Sequence, residues 1–141
     1  MKWLIPVDGS EHSLHAVQQA VSLATTMKQS PRLLLLNVQW SVATLNVKLL
    51  FDQQVVDDYQ LEQGMQALQS ARAVLDSAQL SYQYHISIGR PAEAILQYAA
   101  AQEASLIIMG AQGKEGLTQW LLGSVAERVL RLSAVPVMVV R

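Results

Sequence analysis

The segment Gly110-Ala-Gln-Gly113-Lys-Glu-Gly116-Leu-Thr-Gln-Trp-Leu-Leu-Gly123-Ser124-Val125 carries the residue types and spacing that bear most directly on chemistry. It begins where an apolar run ends and finishes where an amphipathic pattern starts. Glycines at 110, 113, 116 and 123 let main-chain N–H groups approach a ligand without a Cβ in the way. Gly123-Ser124-Val125 falls at the expected start of a helix, where unpaired N–H groups and the helix dipole favour an anion such as phosphate. Ser124 followed by Glu127 also fits a capping box, and glycines are ordinary turn residues. The two readings are compatible, and local chemistry does not choose between them. The spacing does narrow the kind of site. A Walker A loop ends in Gly-Lys-Ser/Thr, whereas this chain has Gly113-Lys114-Glu115. The dinucleotide fingerprint G-x-G-x-x-G is absent as well, so neither P-loop hydrolysis nor hydride transfer is expected.

Asp8, in Val7-Asp8-Gly9-Ser10, follows the first apolar run. An aspartate there is often a turn or cap residue, but the end of a strand near mid-sheet also suits a binding role. His12 and His15 are three apart and share a helix face, yet no third ligand is near, so a solvated helix surface is the plainer reading. His85 belongs to the polar face of an expected edge strand. Trp3, Trp40 and Trp120 are too dispersed for a stacking platform. Lys114 and Trp120 sit within the glycine segment, where either could meet a ligand or remain outside it. No general base, nucleophile or metal cluster accompanies the segment, so no catalytic or metal-ligating residue is assigned. A loop that grips phosphates without a residue to orient attacking water binds nucleotide and hydrolyses it slowly at most.

The elements that position these residues alternate strictly. Strand-like runs occupy residues 2–7, 32–39, 81–88, 105–109 and 135–140. Helical periodicity occupies 11–27, 57–78, 91–102 and 121–132, with Ser10 as N-cap of the first helix and Pro91 in the first turn of the third. Residues 41–56 have no clean period. Strands separated by helices of this length pair in parallel through right-handed crossovers, giving an open α/β sheet with helices on both faces. The runs Leu33-Leu-Leu-Leu36 and Leu106-Ile-Ile-Met109 suit interior strands, and the alternation from Ser81 to Ile88 suits an edge. Val135-Pro-Val-Met-Val-Val140 is apolar on both faces and contains a proline, as an edge strand would. Such an apolar edge needs cover, and a symmetry mate in a homodimer would supply it.

Composition limits the alternatives further. Ten Lys and Arg against eleven Asp and Glu give a net charge of −1, with no basic cluster to grip nucleic acid. No apolar run reaches the length of a membrane span, the N-terminal apolar stretch ended by Asp8 is too short for a signal-peptide core, and the chain has no cysteine for disulfides or thiolate chemistry. One cytoplasmic domain over residues 1–141, with no membrane partner, is expected.

Gly110, Gly113, Gly123 and Ser124 together fit the pattern G-x2-G-x9-G-(S/T), which resembles the signature of the universal stress protein family. The opening Ile5-Pro-Val-Asp-Gly-Ser10, the turn Gly89-Arg-Pro91, Val125-Ala-Glu-Arg-Val129 and Val135-Pro-Val137 resemble that family too. The likeness spans the chain apart from residues 41–57. It implies an adenine nucleotide alpha hydrolase-like fold, a five-stranded parallel sheet in the order 3-2-1-4-5, usually dimeric through the last strand. It also implies a site for ATP, with or without Mg2+. On the family pattern the phosphates lie on Gly113, Gly123, Ser124 and Val125. Asp8, with Val7 beside it, would stand near the ribose or a phosphate-bound metal, Val38 near the adenine, and Gly110 along the ribose and phosphate side. The implied function is regulation of the stress response through nucleotide occupancy and dimer or partner contacts. The alternatives are a nucleotide-independent dimeric interaction module and a weak ATPase.

Overall fold

The computed structural model describes residues 1–40, 53–113 and 121–141. The elements follow in the order β1 (Lys2–Pro6), α1 (Glu11–Ala24), β2 (Arg32–Gln39), α2 (Gln53–Ser77), β3 (Tyr82–Ile88), α3 (Pro91–Ala101), β4 (Leu106–Gly110), α4 (Ser124–Leu132) and β5 (Val137–Val140). The strands form one parallel sheet in the order β3-β2-β1-β4-β5, as the sequence implied.

Two apolar layers sandwich this sheet. Trp3, Ile5, Leu33, Leu35 and Ile108 face α1 and α2, meeting Val17, Leu68 and Leu75. The intervening Leu4, Leu34, Leu36 and Ile107 face α3 and α4, meeting Ile95 and Val129. A strand buried on both faces has no polar side, which is why β2 reads as four consecutive leucines, each fully buried. Removing one leaves a cavity, so Leu34→Ala should cost about 2–5 kcal/mol.

The helix starts account for several sequence features. Ser10 caps α1, its hydroxyl accepting from Ser13 N–H at 3.2 Å. Gly9 ahead of it has φ +86°, a backbone conformation that side chains disfavour. Pro91 occupies the first turn of α3. Four boundaries differ from expectation by two residues or more. α1 ends at Ala24 rather than 27. α2 begins at Gln53, four residues earlier, where Gln53 and Gln54 donate to Asp57 and Asp58 one turn on. α4 begins at Ser124 rather than 121, because Gly123 is extended (φ −64°, ψ 157°) and starts the helix after it. Pro136 lies just before β5, where its carbonyl accepts from Ile107 N–H and its missing donor costs the ladder nothing. The remaining unreadable stretch, residues 41–52, lies outside the described residues.

Candidate functional site

β1 sends its chain to β2 on one side, while β4 lies against its other side, so a crevice opens beyond the carboxyl ends of β1 and β4. Asp8 and Gly110 leave the sheet on either side of that crevice. Asp8 is half-buried, and its Oδ1 accepts the Ser10 N–H at 2.9 Å, closing the turn into α1. A Cβ built on Gly113 would stand 2.6 Å from Asp8 Oδ2. Gly113 thus lies against the aspartate, and only a residue without a side chain fits there undisturbed.

The neck of the glycine segment is closed by hydrogen bonds. Gly123 N–H donates to Ala111 C=O at 2.7 Å, and Ala111 N–H donates to Val140 C=O of β5 at 2.7 Å. The buried Gln112 side chain donates to Leu121 C=O at 2.9 Å. A Cβ on Gly123 would lie 3.3 Å from Gln112 Cα and 3.4 Å from Ala111 O. Gly123 is therefore needed where the two ends of the segment cross, and it delivers the start of α4 beside Gly113.

At that start Gly123 is the N-cap, with no side-chain cap bond, and Ser124 is the first helical residue. The capping box read from Ser124 and Glu127 does not form, because Ser124 lies one residue past the N-cap position from which a side chain reaches the N2 and N3 amides. The first-turn amides of α4 are left without a capping side chain, and Ser124 is exposed. This arrangement can receive an anion.

Gly110 serves packing. A Cβ there would meet His12 main-chain carbon at 2.7 Å and His12 Cβ at 2.8 Å, so this glycine lets α1 lie on β4. His12 is correspondingly half-buried, with Nδ1 enclosed and unpaired, while His15 is exposed and meets Arg141 C=O at 3.2 Å. The expected solvated surface holds for the second histidine alone. Among the described residues no group of three His, Cys, Asp or Glu side chains could hold a metal. His85 is exposed and stacks on Tyr98 of α3 at 5.1 Å. Trp3 is core, whereas Trp40 is 63% exposed. Lys114 and Trp120 lie outside the described residues.

Val7 and Val38 belong to the same rim. Val7 is buried and its N–H extends the β1–β2 ladder to Leu36 C=O at 2.8 Å; Val38 is half-buried against the α3–α4 layer. Motif reading missed two buried amides of this rim, Asn37 of β2 and Gln112 just past β4. Asn37, 2% exposed, donates from Nδ2 to Val7 C=O at 2.8 Å, and accepts at Oδ1 from Gln39 Nε2 at 2.7 Å. The available signal was an amide directly after the four-leucine run of a buried strand. Gln112 gave none, because it fills a variable place in the glycine spacing.

Comparison with known proteins gives the family. The profile of the universal stress protein family matches residues 1–141. A universal stress protein of Methanocaldococcus jannaschii is 31% identical, over 99% of this chain and 81% of its own. One of Bacillus subtilis is 30% identical, over 99% of this chain and 98% of its own. Among solved structures, a second M. jannaschii family member superposes with a TM-score of 0.84 at 27% identity, covering 99% and 94% of the two chains. Two further structures share the fold at lower identity: a universal stress protein in complex with cAMP (TM-score 0.73, 22%) and one from Archaeoglobus fulgidus in complex with dAMP (0.71, 16%). They cover all of this chain and 97% and 98% of their own. The sheet order and these neighbours make the fold adenine nucleotide alpha hydrolase-like. Matched from end to end by the family profile and by relatives of its own length, this chain belongs to the universal stress protein family.

Proposed function

We propose that the chain binds an adenine nucleotide, ATP, at the crevice beyond β1 and β4, and acts in the stress response as a regulator through occupancy. The observation that carries this is the approach of Gly113 to Asp8 Oδ2 beside an α4 N-terminus free of a capping side chain. The phosphates are assigned to Gly113, Gly123, Ser124 and Val125, with Gly123, whose N–H is held by Ala111 C=O, contributing close approach and not an amide; the ribose side is assigned to Gly110, Asp8 and Val7, and the adenine to Val38. The donor set suits Mg2+ as a passenger on the phosphates. Asp8 offers one carboxylate, with Oδ2 outside its turn hydrogen bond, and Mg2+ is commonly held by one or two carboxylates plus phosphate oxygens. The complexes of two family relatives with cAMP and dAMP favour the same ligand class.

The working form is a cytoplasmic homodimer of single-domain chains, paired through the segment Val135 to Val140, with no nucleic-acid or membrane partner. Among the described residues no helix is long and apolar enough to cross a membrane. Turnover is assigned no role, because the glycine spacing is not that of a Walker A loop. Calorimetric titration with ATP and Mg2+ tests the reading. Saturable heat and a raised thermal midpoint are expected. Neither heat nor shift would leave the dimeric interaction module as the function, and rapid release of phosphate would make it an ATPase.

A further inference from the structure

We infer that Asn37 is the positioning residue for Asp8, an inference that rests on the nucleotide reading of this site. Leu33 to Leu36 are fully buried, and Asn37 continues the strand at 2% exposure, on the side of the sheet where Leu33 and Leu35 pack under α1 and α2. An amide buried among leucines is costly unless its hydrogen bonds are made. Here both ends are used, Nδ2 on Val7 C=O and Oδ1 on Gln39 Nε2.

The place where this happens matters. The β1–β2 register ends at Pro6 opposite Leu36, with one more bond from Val7 N–H to Leu36 C=O. Continued parallel pairing would give Val7 C=O a main-chain donor from β2. The Asn37 side chain takes that carbonyl instead. The chain is therefore free to leave the sheet while the Val7 peptide stays fixed at both N–H and C=O. Asp8 follows directly, with Oδ1 on Ser10 N–H and Oδ2 against Gly113.

The Val7 carbonyl gives the relay its direction. Because that oxygen can only accept, the Asn37 NH2 must face it, which leaves Oδ1 to accept from Gln39 Nε2. An apolar residue of Asn37's size would leave the Val7 carbonyl unpaired and release the turn that aims Asp8.

The test uses the full chain and two readouts: exchange of the Ser10 amide hydrogen, which the Asp8 carboxylate protects, and affinity for Mg-ATP. Asn37→Leu should speed Ser10 exchange tenfold or more while amides in mid-β2 keep their protection, and should weaken ATP at least tenfold. Gln39→Leu, at a half-buried position, should move both in the same direction by less; it carries the test if Asn37→Leu does not fold. Added to Asp8→Ala, Asn37→Leu should cost no further affinity. Ser10 exchange that changes only in step with the whole sheet, or losses that simply add to those of Asp8→Ala, would overturn the inference. If wild type takes up no ATP, the nucleotide reading fails, while Ser10 exchange still decides whether Asn37 holds Asp8.

Discussion

The glycines of the signature differ in what they do, and their substitutions should separate accordingly. At Gly110 a Cβ meets main-chain atoms of His12 at 2.7–2.9 Å, and neither strand nor helix can give way cheaply. Gly110→Ala should therefore lower stability by about 1–3 kcal/mol through overpacking. At Gly113 the contact is the end of the Asp8 side chain, which can rotate away, so the fold should be spared. Stability should hold or rise by a few tenths of a kcal/mol, since alanine also reduces the freedom of the unfolded chain. Nucleotide affinity should fall sharply. Thermal melts and ATP titrations of the two variants measure this contrast; an equal loss of stability in both would mean that Gly113, too, serves packing. Gly123 is an intermediate case, with main-chain neighbours at 3.3–3.4 Å, so a larger residue there disturbs the neck along with any phosphate. Sequence spacing exposes all these positions at once, because it records where a side chain is excluded and not what excludes it.

At the scale of elements, α3 and α4 are tied across their outer surfaces by Glu93 and Arg128, 2.6 Å apart. Glu93 titrates below the usual carboxylate range, chiefly through a hydrogen bond to its own backbone amide and then through Arg128. A depressed folded pKa means that any stability gained is present above the ordinary glutamate range and lost as pH falls through the folded value. Both side chains are well exposed, so the effect on the melt should be slight. An NMR pH titration should find Arg128→Ala moving the Glu93 midpoint upward with little change in the thermal midpoint; an unmoved midpoint would mean that the backbone bond alone sets it. The elements themselves were largely legible, because burial on both faces forces runs such as Leu33 to Leu36, and because Ser10 and Pro91 mark helix starts by mechanism. The misplaced helix starts have opposite causes. Before Ser124 the side-chain pattern runs on smoothly through residues that the extended Gly123 keeps out of the helix, whereas residues 53–56 are helical without a clean side-chain period to mark them. Asn37 escaped motif reading because its role is a bond to the main-chain carbonyl of Val7, thirty residues away just past β1, which no local spacing encodes.

For the molecule as a whole, the two sheet edges are finished differently. β3 is dressed: Arg72 lies over Tyr84 at 4.4 Å, Tyr82 donates to Asp76, and Gln83, His85 and Ser87 alternate along the strand. β5 has none of this. Its sequence is Val-Met-Val-Val, every residue half-buried, with β4 on one side alone. An uncharged apolar edge of this kind is a template for another strand, and a copy of itself satisfies it through a two-fold axis. Light scattering should then give about twice the 15.5 kDa chain mass. Val139→Lys, placing a charge on that edge, should halve the mass while the fold remains; a wild-type mass of one chain would remove the dimer from the proposed function. The edge is also joined to the site, because Val140 C=O holds Ala111 N–H and Ala111 C=O holds Gly123 N–H. Pairing that steadies β5 steadies the neck of the glycine segment. The Val139→Lys monomer should bind ATP several-fold more weakly than the dimer, and equal affinity in the two forms would show that occupancy and assembly are independent.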